Sequence, residues 1–319
     1  MEEKVGQLII TAVDGMQLND RSRALIKEHR IGGVVFSTTN IKNEEQTKEF
    51  IKSFKRLSVE DSEIPMFFAL DEVGGDATNF PQGMTRAEDP QEIGDVGDVQ
   101  RAHNSGKIIA VNMRSLGFNL DLAPVANLRL GEIDETLMHA IFAGEPQQNA
   151  EMVKRFLEGL REANVFATAK YFPVSAGTKE LHISDDLQTL QNRELIPFKA
   201  LADEKIEMIM TSHAFVDVLD KEYPVSLSEN AKKELFAAIS YEGIVISDSI
   251  TKPIIREKYG VEQASVMALR SGCHLILIGD STQTASIAKH LVQAVKEQQI
   301  SMETIDQAVF KVLMLKAKL

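Results

Sequence analysis

Short apolar runs recur along this chain at intervals that leave room for a helix between them. They are QLIITA (7–12), GGVVFS (32–37), PMFFALD (65–71), FNLDLAP (118–124), ATAKYF (167–172), EMIMTSH (207–213), IVISDS (244–249) and HLILIG (274–279). All but the fourth, which carries a polar interruption, are continuous rather than alternating. Strands buried on both faces read this way, because neither side meets water. Between them lie amphipathic patterns with a period near 3.6. NEEQTKEFIKSFKRL (43–57) aligns Phe50, Ile51, Phe54 and Leu57, and NAEMVKRFLEGLREA (149–163) aligns Met152, Val153, Phe156 and Leu160. TASIAKHLVQAVKE (284–297) aligns Ile287, Leu291 and Val295, and residues 301–319 predict a last helix, its start SMET lacking a full capping box.

Eight strand–helix alternations over some 300 residues predict a single-domain α/β fold spanning residues 1–319, a TIM-type (β/α)8 barrel. A doubly wound sheet is the alternative. It is weakened because no G-x-G-x-x-G follows the first strand and no G-x-x-x-x-G-K-[ST] occurs anywhere. Residues 72–105, rich in Gly, Pro and Asp, read as a long excursion after the third strand.

In such barrels chemistry gathers at the C-terminal ends of the strands. Here several strands end on polar groups: Ser37, Asp71, Lys170, Ser212 with His213, and Asp248. A charge beside an apolar run is costly unless paired. Individual residues of this set could be ion pairs sealing the barrel mouth, but five strands ending this way on one face point to a shared ligand site. Asp248 ends a very apolar strand, as a rigidly held nucleophile would. Asp71 precedes a Gly pair, where backbone can approach a ligand closely.

Charge and cysteine content narrow the classes further. A net charge of −12 repels phosphate backbones, so nucleic acid is not an expected partner. Cys273, the one cysteine, excludes an intrachain disulfide and reads as a small core residue. No apolar run approaches the ~18 residues of a membrane span, and MEEKVGQLII lacks the pattern of a secretory signal, which favours the cytoplasm. The seven histidines show no HExxH or paired spacing, so no metal site is expected. His274 starts a strand, at the end of a barrel that serves stability. His213 is either a core histidine satisfied by backbone or a sugar contact.

With these residues in view, the chain resembles glycoside hydrolase family 3, of the single-domain β-N-acetylhexosaminidase type. The similarity runs through EEKVGQLII, HRIGGVVFSTTNI, FFALDEVGGDATNFP, SLGFNLDLAPV, ATAKYFP, MIMTSHAFVDVLD, YEGIVISDS and ALRSGCHLILIG, in the family's order. The resemblance implies a (β/α)8 barrel and retaining hydrolysis of terminal β-linked amino sugars, with a small carbohydrate as partner and neither metal nor other cofactor. It implies Asp248 as nucleophile, Asp71 and Lys170 as sugar-binding residues, and His213 as the histidine of the family's M-T-x-H segment. Tyr171 stands where the family has a histidine after the lysine, and is expected to donate to a hydroxyl or stack on a sugar ring.

The departures fall in the same region. The family's arginine after the Gly pair is replaced around Asp76 and Asn79, and Ala140 replaces a second arginine. Val174–Ser175–Ala176 replace Gly-His-Gly, and Asn127 replaces an aspartate. Charge-assisted hydrogen bonds contribute roughly 1.5–3 kcal/mol each. Losing two guanidinium groups implies either a different ligand or a site that no longer turns over. Residues 131–146 are a candidate source of a substitute binding group.

In this branch of the family the general acid/base is a loop histidine oriented by an aspartate two residues earlier. Aligned residue for residue, Leu181 and Ile183 fill those places; with the loop one residue shorter, Glu180 and His182 do. A carboxylate at Glu180 would fix the imidazole tautomer and raise its pKa, keeping His182 ready to protonate a leaving oxygen. The competing reading is a solvated turn of Lys179, Glu180, His182, Asp185 and Asp186. Three functions compete accordingly. They are a retaining exo-glycosidase, a barrel that binds a carbohydrate or protein without turnover, and, more remotely, a Schiff-base lyase using Lys170.

Overall fold

Each of the eight apolar runs contains a strand. The computed structural model describes residues 1–61, 63–130, 135–177 and 180–319. Its strands are β1 (Ile9–Ala12), β2 (Gly33–Phe36), β3 (Phe67–Leu70), β4 (Leu120–Asp121), β5 (Phe166–Phe172), β6 (His182–Ile183), β7 (Met208–Thr211), β8 (Phe215–Val216), β9 (Ile244–Ser247) and β10 (Ile276–Ile278). Eight of them pair in parallel in the order β10-β1-β2-β3-β4-β5-β7-β9. The ring closes where Ile246 bridges Leu275 and the Ser247 N–H donates to the Leu275 carbonyl. This is a (β/α)8 barrel. Strands β3, β7 and β9 are buried at every position, as their unbroken apolar runs require.

The polar interruption in the fourth run has a structural reason. Asn119 accepts the Phe68 N–H at 2.8 Å through Oδ1 and donates to the Met66 carbonyl at 3.0 Å through Nδ2. Its amide thus stands in for ladder bonds just before the two-residue strand β4. Asp121 Oδ1 then accepts the Glu72 N–H at 3.0 Å, tying β4 to the end of β3.

The expected helices form as Glu44–Asp61, Pro146–Glu162, Thr284–Lys296 and Met302–Lys316. Ser301 caps the last by accepting the Thr304 N–H at 3.0 Å. The excursion after β3 is more ordered than its composition implies, since it runs into helices Pro90–Val96 and Val99–Leu116. The second buries Ala102, Ser105, Gly106, Ile109, Ala110 and Met113. It packs closely on Pro146–Glu162: a Cβ on Gly106 would lie 2.2 Å from the Phe156 carbonyl oxygen, and one on Gly159 2.2 Å from that of His103. In its first half the buried face is Ala102, Ser105 and Gly106, small residues that carry little hydrophobic periodicity, which is why the sequence pattern does not display the start of this helix.

One element has no counterpart in the apolar runs. Strands β6 and β8 form a separate two-stranded parallel ribbon, pairing His182 with Phe215 and Ile183 with Val216. It joins the loop after β5 to the loop after β7. Among the described residues no helix is long and apolar enough to cross a membrane.

Candidate active site

The polar strand ends meet at one face, and Tyr171 lies at their centre. On one side Lys170 Nζ, fully buried at the C-terminal part of β5, donates to Asp71 Oδ1 at 2.5 Å, and it stands 5.2 Å from the Tyr171 ring centroid. Burial opposes the charge on Lys170, but Asp71, helped by Tyr171 and Asp121, outweighs it and its pKa rises. A lysine kept as ammonium is no Schiff-base nucleophile, so the lyase reading has no support here. Asp71 itself is partly exposed and free to meet a ligand.

On the other side of the site is Asp248, buried at the end of β9. Its Oδ1 accepts the Ser249 N–H at 2.7 Å and its Oδ2 accepts from Lys252 Nζ at 2.6 Å. Lys252 Nζ is also 5.3 Å from the Tyr171 ring centroid. The local chain makes this possible. Lys252 N–H donates to the Ser249 carbonyl, closing a turn, and Pro253 then starts the helix Pro253–Tyr259. Gly279 N–H fastens the turn to the end of β10 by donating to Ser249 Oγ at 3.0 Å; a side chain at Gly279 would collide with that hydroxyl. Burial pushes the Asp248 carboxyl up, yet the Lys252 ammonium foremost, with the Ser249 N–H, holds it below its usual range.

His213 is buried 4.0 Å from Asp248 Oδ2 with both ring nitrogens engaged. Nε2 faces the Ser249 carbonyl at 3.0 Å and Nδ1 faces Ser226 Oγ at 2.7 Å. A carbonyl only accepts, so Nε2 carries the proton and Nδ1 receives the serine hydroxyl. Burial lowers the pKa, so the ring is neutral. In this arrangement His213 orients the Asp248 turn. His274, at the opposite end of the barrel, accepts the Val245 N–H at 2.9 Å, and burial holds its pKa down to about 3.

Asn127, read from sequence as a lost aspartate, grips the Tyr171 backbone. Its Oδ1 accepts the Tyr171 N–H at 3.1 Å and its Nδ2 donates to the Tyr171 carbonyl at 2.9 Å. Behind Asp71, Glu72 accepts from Gly74 N–H, Thr78 Oγ1 and Asn79 N–H, which shapes the glycine loop. Burial pushes its pKa up to about 7. Asn79, at one lost arginine, donates to the Asp71 carbonyl, while Asp76 pairs with Arg86 at the surface. Near Ala140, the other such position, Arg129 Nη2 donates to the Met138 carbonyl at 2.9 Å. Of the segment 131–146, residues 131–134 lie outside the described residues, as does Lys179 of the polar loop.

Glu180 and His182 form a second cluster on the ribbon. The His182 ring stacks on Phe215, with centroids 4.5 Å apart. Its Nδ1 is 2.6 Å from Asp217 Oδ1 and its Nε2 is 3.5 Å from Glu180 Oε1. Asp217 is therefore the closer carboxylate, a partner that the sequence reading did not include. Alternate residues share a face of a strand, so the pairing of His182 with Phe215 brings Asp217 to the histidine. The chain spacing alone carries no sign of it. Asp217 foremost raises the His182 pKa; burial opposes it, and Glu180 adds to the rise. Glu180 also binds Lys258 Nζ at 2.7 Å, which links the loop to the helix that follows Lys252. The polar partners of His182 are Asp217 and Glu180; those of Asp248 are Ser249, Lys252 and His213.

Among the described residues no three His, Cys, Asp or Glu side chains gather in a way that could hold a metal ion. The site is instead a row of ion pairs around one aromatic ring.

Comparison with known proteins places this geometry in a family. The profile of the glycosyl hydrolase family 3 N-terminal domain matches residues 1–315. A β-hexosaminidase of Alkalilimnicola ehrlichii is 24% identical over 297 residues, covering 89% of this chain and 84% of that protein. One from Idiomarina loihiensis is 25% identical over 285 residues, covering 86% and 84%. A family 3 β-N-acetylglucosaminidase from Paenibacillus sp. str. FPU-7 superposes with a TM-score of 0.95 at 26% identity, over 100% of this chain and 62% of that longer one. The β-N-acetylhexosaminidase of Beutenbergia cavernae shares the fold, with a TM-score of 0.89 at 19% identity over 99% and 98% of the two chains. With a family profile spanning nearly its whole length and its barrel matched throughout, the chain belongs to glycosyl hydrolase family 3.

Proposed function

We propose that the chain is a retaining exo-glycosidase acting on terminal β-linked sugars, amino sugars foremost. The observation that carries this reading is Asp248, a buried carboxylate at the end of β9 held ionised beside the Asp71–Lys170 pair. Asp248 attacks the anomeric carbon and forms a covalent glycosyl-enzyme, while Asp71 and Lys170 bind sugar hydroxyls and Tyr171 lines the ring. His182 protonates the leaving oxygen and then activates water, with Asp217 and Glu180 sustaining its charge. The barrel as a whole, residues 1–319, serves as the functional unit, and the ligand is a small carbohydrate.

The test is hydrolysis of an aryl β-N-acetylglucosaminide and an aryl β-glucoside by the parent and by Asp248→Ala. Hydrolysis of either by the parent, lost in the variant, is the expected result; equal rates in the two proteins overturn the reading. His182→Ala should cost about 10²–10⁴-fold, less with activated leaving groups.

The second reading is a barrel that binds carbohydrate or a protein without turnover. It is favoured by the engagement of Asp248 Oδ2 by Lys252 and by the missing arginines. A 2-fluoro-glycosyl adduct trapped on Asp248 would refute it.

A further inference from the structure

Lys252 is absent from the row of strand-end groups that the sequence displays, yet it makes the shortest polar contact to the proposed nucleophile, 2.6 Å. Taking Asp248 as that nucleophile, we propose that Lys252 is a positioning residue that acts in opposite directions on the two halves of the reaction, slowing formation of the glycosyl-enzyme and hastening its breakdown.

The charge on Asp248 changes in opposite directions in the two halves. In the first half an Asp248 oxygen bonds to the anomeric carbon as the carbon–oxygen bond to the leaving group breaks. That electron pair departs with the leaving oxygen, which takes a proton or, for an activated phenol, leaves as the phenolate. The aspartate becomes a neutral ester. In the second half a water oxygen bonds to the anomeric carbon, the bond to Asp248 breaks, and the water proton passes to the base. The aspartate recovers its negative charge. An ammonium against that oxygen stabilises the ionised carboxylate and not the ester. A contact stronger in the ground state than in the transition state raises the barrier, and the same contact lowers it where the charge is being restored.

The surroundings fit this role. Lys252 is about one-third exposed on its side chain, so it can swing away as a sugar enters. Burial acts to discharge it, but Asp248 outweighs that and raises its pKa, so it stays an ammonium and is a poor proton donor. The charged and titratable groups facing the pair are His213 from the loop after β7, neutral as shown above, and Tyr171 and Lys170 from β5. None of these is a second cation in contact with Asp248, so the ammonium effect falls to Lys252.

The two halves can be timed separately with 2,4-dinitrophenyl 2-deoxy-2-fluoro-β-glucoside, which needs no acid for its leaving group. Adduct formation and adduct release are followed by intact mass for the parent, Lys252→Met, Lys252→Arg and Asp248→Ala. The expected result for Lys252→Met is faster formation and slower release, each by about tenfold, with the arginine variant close to the parent. The acid limb of the formation rate should move to higher pH in Lys252→Met alone. Formation by the methionine variant with an inert parent supports the proposal in its strongest form. Unchanged rates, or rates that fall together as they would if the site were merely damaged, overturn it while the adduct on Asp248 leaves the nucleophile intact. Absence of an adduct in every variant overturns the nucleophile reading and the proposal with it.

Discussion

Asn127 holds Tyr171 by both polar groups of its backbone, accepting the N–H at 3.1 Å and donating to the carbonyl at 2.9 Å. A carboxamide does both, whereas an ionised aspartate has no donor. The same amide nitrogen also faces the Pro173 carbonyl at 3.3 Å. An Asn127→Asp change, although it restores the family's residue, would set a buried carboxylate against two carbonyl oxygens. The expected loss of stability is about 1–3 kcal/mol, read by denaturant titration, with weakened sugar affinity because Tyr171 shifts. Wild-type stability in the variant would show that the clamp has no structural weight.

The histidine on the ribbon makes a prediction that separates its two carboxylates. Asp217 raises the His182 pKa more than Glu180 does. Asp217→Asn should therefore lower it further than Glu180→Gln, as read by an NMR pH titration of the ring. If His182 is the acid, the basic limb of kcat/KM moves to lower pH in the same order. A group whose folded pKa is raised adds stability that is present below its unfolded value, near 6.5, and lost as pH climbs through the folded one. Equal shifts from the two variants would mean that Asp217 does not dominate.

Glu72 adds a pH dependence of the same sign from a buried carboxyl. It is a buried carboxyl titrating at about 7, well above its unfolded value. Between roughly 4.5 and 7 the folded state holds the proton more tightly than the unfolded state, so stability falls as pH rises through this window. The slope from a single proton reaches at most about 1.4 kcal/mol per pH unit. Glu72→Gln should flatten the fall between pH 5 and 7 by comparison with the parent, measured by urea denaturation. An unchanged slope would place the Glu72 titration outside this range.

The strands were legible because they are buried on both faces and so leave continuous apolar runs; the Asp71, Lys170 and Asp248 positions follow from the ends of those runs. What remained hidden depends on turns and on pairing. Lys252 reaches Asp248 only because the Ser249–Lys252 turn folds the chain back on itself. Asp217 reaches His182 only because β6 pairs with β8, two strands too short to register as apolar runs. Asn127 reads as the loss of an acid, since its use as a two-way backbone clamp depends on where β5 bends. The helix Val99–Leu116 hides for another reason, the buried positions of its first half, Ala102, Ser105 and Gly106, all being small.

At the opposite end of the barrel a buried lysine makes stability depend on pH in the reverse direction. Lys316 is buried in the final helix and donates to Gln7 Oε1 at 2.6 Å and to the Gly32 carbonyl at 2.7 Å, 5.0 Å from the Phe67 ring centroid. Burial pulls its pKa down to about 7. The neutral amine still carries two N–H groups, enough for its two acceptors, so it loses no hydrogen bond on discharge. Above pH 7 the folded lysine is neutral while the unfolded one stays charged until about 10.4. The unfolded state then binds more protons, and stability rises with pH across this window. Lys316→Met should abolish that rise between pH 7 and 9. It should also cost about 1–3 kcal/mol for each carbonyl left without a donor. Denaturant titrations of both proteins at pH 7 and 9 read the two effects separately, and parallel changes in the two would show that Lys316 stays charged throughout.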